Sequence, residues 1–120
     1  MDREINFRAF DDGKMLSMPI STNYGISRFF GFLSEDAVIM QFTGQEDAQI
    51  NGTKVWESDI IENCDTKLLQ VVYWNEYKAS WYCRYVNDEK RIVSLSNSLG
   101  NLNKVIGNIF ENPQLIENVS

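Results

Sequence analysis

Glu57 and Asp59 are the two carboxylates whose spacing invites chemistry. In an extended chain, residues two apart share a face, so this pair could hold a cation or divide the roles of acid and base. At a corner where a strand ends, the same pair could instead accept hydrogen bonds from freed backbone amides, or from an arginine such as Arg8. We adopt the second reading. Trp56 and Ile60 flank a tight polar triplet, Glu57-Ser58-Asp59, as a chain requires where one strand turns into the next. No catalytic, cofactor-binding or metal-ligating residue is assigned, and no cofactor is expected.

Other constellations are weaker still. The chain has no histidine, which removes Ser-His-Asp and Cys-His nucleophilic arrangements and the commonest metal ligand. Cys64 and Cys83 lack a base at any suggestive spacing. Glu46, Asp47 and Asn51 hint at a calcium loop, but the spacing of alternate oxygen ligands closed by a glycine is absent. Gly44 has no downstream Gly-Lys-Ser/Thr, so there is no phosphate loop of the Walker type. Gly107 follows a strand-like run, where a lone glycine marks a β-bulge more often than a phosphate cradle.

The elements that must position these residues read as β-strands. Of the 120 residues, 43% are hydrophobic and 23% charged, which suits one globular domain spanning 1–120. Residues 4–10 alternate, with Ile5, Phe7 and Ala9 on one face and Asn6, Arg8 and Phe10 on the other. A turn at Asp11-Asp12-Gly13-Lys14 leads into a second strand over 15–20, with Pro19 at an edge. Turns follow at 21–25 and 34–36, around an apolar run over 26–33. Residues 38–42 and Lys54–Trp56 form two strands, the first ended by Thr43-Gly44; the loop between them carries an Asn51-Gly52 turn of type I′. Residues 62–66 are a polar break. Strands over 68–74, 80–86 and 91–95 make a meander. Residues 96–103 connect it to a last strand over 104–110, and Asn112-Pro113 opens a short helical turn to Glu117. The class is mainly β: a small barrel-like domain of short antiparallel strands with a C-terminal helical turn.

Tyr73, Trp74, Tyr77, Trp81, Tyr82 and Tyr85 are the richest aromatic region. Such residues stack nucleotides in some β-barrels, build protein interfaces in others, and most often form core and cross-strand pairs. The net charge of −6 opposes phosphate backbones, so nucleic acid is disfavoured as a partner. Two free thiols are the default in a reducing compartment, and Cys83 sits where a small core residue belongs. The charged start, Met1-Asp2-Arg3-Glu4, has no apolar stretch after it, and no run is long enough to span a bilayer as a helix. A cytoplasmic protein in a bacterial host is the expectation.

Three blocks carry a family resemblance: REINFRAFD at 3–11; MQFTG at 40–44 with NG at 51–52 and VWESDII at 55–61; and VIGNIFENPQL at 105–115. In this order they resemble the YopX-like proteins of phages and prophages. Ser58 stands where those proteins usually carry glycine, so Ser58 must tolerate any left-handed backbone that the glycine serves. The resemblance implies a small β domain of phage or prophage origin and no reaction. The expected role is that of a non-catalytic accessory protein acting through a protein partner or self-association. The alternative is a single-stranded nucleic-acid-binding β-barrel.

Overall fold

The computed structural model describes residues 6–17, 30–31, 33–47 and 52–117. The expectations for Ile5, for 18–20 with Pro19, for the 21–25 turn, for most of 26–33 and for Asn51 lie outside them. Besides the helical residues 30–31, nine strands and two short helices follow in order among the described residues: β1 Phe7–Asp11, β2 Lys14–Ser17, β3 Val38–Glu46, β4 Lys54–Trp56, β5 Asp59–Asn63, β6 Leu69–Asn75, β7 Ser80–Tyr85, β8 Asp88–Ser94, α1 Leu95–Leu99, β9 Asn103–Asn108 and α2 Gln114–Glu117. All pairings are antiparallel. One open sheet has the order β2-β1-β3-β4, and the other β8-β7-β6-β5-β9, so the expected barrel is a half-barrel built of two sheets.

The opening hairpin turns on Asp12 and Gly13, with φ of 50° and 75°. Two positive φ values match the right-handed twist of the flanking strands, and Gly13 takes its value at no steric cost. The alternation of β1 serves two surfaces. Ala9 is fully buried, with Phe7 and Leu33 against it. From the other face Arg8 reaches Asp59, and the Phe10 ring stacks on Phe110 at 5.4 Å. Val55, Ile61, Val72, Trp81, Cys83, Leu95 and Leu99 form the main core, so β4 of the first sheet packs into the second.

Four elements differ from the sequence reading. β3 does not stop at Thr43-Gly44. It runs on to Glu46 through an irregularity, with Gly44 at φ 82°, while the Thr43 hydroxyl donates to the Val55 carbonyl at 2.7 Å. β5 extends through Glu62-Asn63, because β6 and β9 pair with it on both sides; the ladder overrides the polarity of those residues. β8 begins at Asp88, and its first five residues are exposed, so no alternation marks it. Residues 95–99 are a helix: the Ser94 hydroxyl accepts from the Asn97 amide at 3.2 Å, and Leu95 and Leu99, four apart, turn inward together.

The expected bulge at Gly107 is present, as a register shift opposite Ile60 and Ile61. A Cβ at Gly107 would lie 2.8 Å from Cγ of Asn112, whose Oδ1 accepts from the Asn108 amide at 3.1 Å. Gly107→Ala is therefore expected to lower stability by about 1–3 kcal/mol, the cost of overpacking. A denaturant midpoint equal to wild type would contradict this.

The chain changes sheets at Glu57-Ser58, between β4 and β5. Ser58 has φ 71°, the left-handed region. Its amide donates to the Val72 carbonyl at 2.9 Å, and its carbonyl accepts from Ile109 at 3.1 Å, so the strain is held by bonds on both sides. Relief of about 1–2 kcal/mol of left-handed strain exceeds the ~0.5–1 kcal/mol of extra unfolded-chain entropy that glycine brings. Ser58→Gly should thus raise the melting temperature by a few degrees, as thermal unfolding would show.

Candidate functional site

The Glu57-Ser58-Asp59 corner joins β4 to β5 and takes partners from β1 and β3. Asp59 is 2% exposed and uses both carboxylate oxygens. Oδ1 accepts from Arg8 Nη2 at 2.6 Å, and Oδ2 accepts from the Trp56 amide at 2.7 Å. Arg8 Nη2 also lies 3.4 Å from the Glu57 carbonyl, and the guanidinium sits over the Trp56 ring at 5.2 Å. Glu57 does not share this cluster. Its Oε1 accepts from the Gln41 amide at 3.2 Å, while the Glu57 amide donates to the Gln41 carbonyl at 3.0 Å. The two carboxylates are thus separately engaged, one with an arginine and both with backbone amides, as the architectural reading expects.

Burial pushes the Asp59 carboxyl up to about 6, against the pull of Arg8 and the Trp56 amide. Removing a carboxylate from water here outweighs the nearby positive charge. Asp11 shifts the other way, lowered by the hydroxyl and amide of Ser34. Burial also pushes the Cys83 thiol up to about 12, which keeps it protonated and inert inside the core. Cys64 is half-buried, and both thiols are free. Among the described residues, no three His, Cys, Asp or Glu side chains are grouped to hold a metal ion.

Asp47, singled out for a calcium loop, has a different use. It is fully buried. Oδ1 accepts from the Thr53 amide at 2.5 Å and Oδ2 from the Val105 amide at 3.1 Å, which clips the β3–β4 loop to β9. Gly52 donates to the Asp47 carbonyl at 3.0 Å with φ 68°.

The aromatic region divides. Tyr73 lies opposite Tyr82, and Trp74 opposite Trp81, as cross-strand pairs. Arg84 covers the Tyr73 ring at 5.2 Å, and Arg91 the Tyr85 ring at 4.2 Å. Trp81 is 7% exposed and meets Trp74 edge to face at 5.1 Å, whereas Trp74 is 42% exposed. Tyr77 stands wholly in solvent in the β6–β7 turn. Trp74 and Trp81, with Gln41 and Glu57, line an open groove of about 430 Å³ where the two sheets meet. Sequence reasoning found the tryptophans and Glu57 but missed Gln41. Its only signal was a polar residue inside an apolar strand.

Two variants test the corner. Arg8→Met leaves the Asp59 charge buried without its partner, so stability should fall by about 3–5 kcal/mol and the Asp59 carboxyl should titrate above 6. Asp59→Asn should cost about 1–3 kcal/mol, because an amide nitrogen cannot accept from either of the two donors it would face. The pH dependence separates ionisation from shape. The fold holds the Asp59 proton more tightly than the unfolded chain does, whose value is about 3.9. The Asp59 contribution is therefore greatest below about pH 4, declines as pH rises to about 6, and is constant above. Stability of the wild type relative to Asp59→Asn should rise on acidification from pH 7 to 4, measured by denaturant titration. A flat difference would place the carboxyl at its ordinary value.

Comparison with known proteins gives the fold and the family. The structure is similar to the crystal structure of protein EF1440 from Enterococcus faecalis, with a TM-score of 0.66 and 22% sequence identity over 97% of this chain and 100% of that one. No curated protein matches the sequence. The family described as YopX protein matches residues 17–117, which takes in the corner, the groove and every strand from β3 onward. The chain belongs to the YopX protein family.

Proposed function

We propose that the chain is a phage- or prophage-encoded accessory protein that works without catalysis, in the cytoplasm of the bacterial host, by binding a protein partner or a second copy of itself. The observation that carries this reading is the groove of Gln41, Glu57, Trp74 and Trp81. A tryptophan 42% exposed above a buried one is the kind of anchor that dominates protein interfaces. The carboxylates nearest to it are tied into the fold, which supports recognition over reaction as its chemistry. Among the described residues no helix is long and apolar enough to cross a membrane.

The nucleic-acid alternative draws less support. Arg84 and Arg91 lie over Tyr73 and Tyr85, so these rings offer less stacking surface to bases. The net charge of −6 adds repulsion.

Sedimentation over a range of protein concentrations tests the proposal, together with crosslinking in cells that express the protein alongside its phage. Self-association or a crosslinked partner should be lost in Trp74→Ala, at a cost of about 2 kcal/mol or more in binding, with the fold intact. A monomer at every concentration that also crosslinks to nothing in such cells would refute it. Submicromolar binding of single-stranded DNA at physiological salt, lost in the same variant, would favour the alternative.

A further inference from the structure

A second cavity, away from the tryptophan groove, lies at the other end of the sheet that carries the main core. It has a volume of about 190 Å³ and is lined by residues of β5, β6, β7, β8, α1, β9 and the turns after β5 and α1. Its lining holds one charged side chain, Arg91, and no carboxylate, in a chain with 17 acidic and 11 basic residues. Arg91 is exposed, lies over the Tyr85 ring at 4.2 Å and makes no ion pair among the described residues.

Three polar residues of the lining are themselves buried: Gln70, Ser98 and Asn103, at 3%, 1% and 3% exposure. The Ser98 hydroxyl donates to Gln70 Oε1 at 2.6 Å. Asn103 Nδ2 donates to the Ser98 carbonyl at 2.6 Å and lies 3.0 Å from its hydroxyl. These bonds fix the Gln70 amide with its oxygen engaged, while its nitrogen donates to no acceptor among the described residues. Asn103 Oδ1 is buried without a partner. That acceptor calls for a donor, which a protonated phosphate oxygen can supply and an ionised carboxylate cannot.

The geometry points to a binding site for a small oxyanion, a carboxylate or phosphate group, held between the Arg91 guanidinium and the Gln70 amide nitrogen. Both offer N–H donors to one cavity, and no negative charge lines it to repel the ligand. Guanidinium matches the planar, two-oxygen edge of such groups. At about 190 Å³ the cavity is below the ~300–1,000 Å³ of drug-sized sites, so the occupant is small. The site is independent of the groove proposed for a protein partner.

Nuclear magnetic resonance titration with inorganic phosphate and, separately, with acetate tests it. One or both should shift the side-chain amide signals of Gln70 and Asn103 and the guanidinium signal of Arg91, saturably in the millimolar range. The anion that saturates at the lower concentration identifies the class. Arg91→Gln, an exposed substitution, should weaken the shift at least tenfold while leaving the melting temperature in place. The proposal fails if neither anion moves the Gln70 side-chain signal, if the shifts survive in Arg91→Gln, or if they spread over basic residues outside the cavity.

Discussion

The pairing of Arg8 with Asp59 is the contact on which the arrangement of the two sheets depends. Arg8 comes from β1 in one sheet and Asp59 opens β5 in the other. Only two residues, Glu57 and Ser58, separate the strand that ends the first sheet from the strand that enters the second. A connection that short fixes the distance between sheets but leaves their angle open. The ion pair, the Trp56 amide on the second carboxylate oxygen and the guanidinium over the Trp56 ring close that freedom. The upward shift of the Asp59 carboxyl shows the cost of this arrangement: burial opposes the charge, and Arg8 offsets only part of it. Such a pair adds little net stability. Its value lies in specifying one geometry, since another sheet angle would leave the buried Asp59 charge without its partner.

The rest of the corner follows from the same constraint. With the angle fixed, Ser58 must turn through the left-handed region to bring Asp59 under Trp56, and the bonds to Val72 and Ile109 hold it there. Gly107 admits Asn112 close to the backbone opposite β5, where the ladder shifts register. Asp47 repeats the device at the far side of the loop, joining β3 to β9 through two backbone amides. Carboxylates thus serve as acceptors for backbone donors where the chain changes sheets, at Asp59, and where a loop within the first sheet meets the second, at Asp47. This use accounts for their burial without a reaction.

Both candidate binding regions lie at the ends of one sheet face, whose middle is filled by Val55, Leu95 and Leu99. At one end, the groove with Trp74 joins an aromatic pair to a carboxylate. At the other, the cavity with Arg91 joins a guanidinium to buried amides. A half-barrel leaves such ends open, whereas a closed barrel of this size fills with side chains.

The sequence by itself determined the class of fold, the opening hairpin, the β6–β7 pairing and the corner at Glu57-Ser58-Asp59. Each is local: alternation with period two, a Gly at a turn, or a polar triplet between apolar residues. The blocks at 3–11, 40–44 with 51–52 and 55–61, and 105–115 together also pointed to the family, whose match spans residues 17–117. Only the tertiary structure decided that polar Glu62-Asn63 is a strand, because its two neighbours supply the ladder. The same holds for β8, whose exposed first five residues carry no alternation to read. The helix at 95–99 was hidden in a Ser/Asn-rich stretch, where two inward leucines are too few to show a helical period. Arg8 was named beforehand as one possible partner of the carboxylates, yet its choice of Asp59 over Glu57 needed the sheet angle. The meeting of Gln70, Ser98, Asn103 and Arg91 had no trace in the sequence at all, since residues from four elements converge only once the sheet has curved around its core.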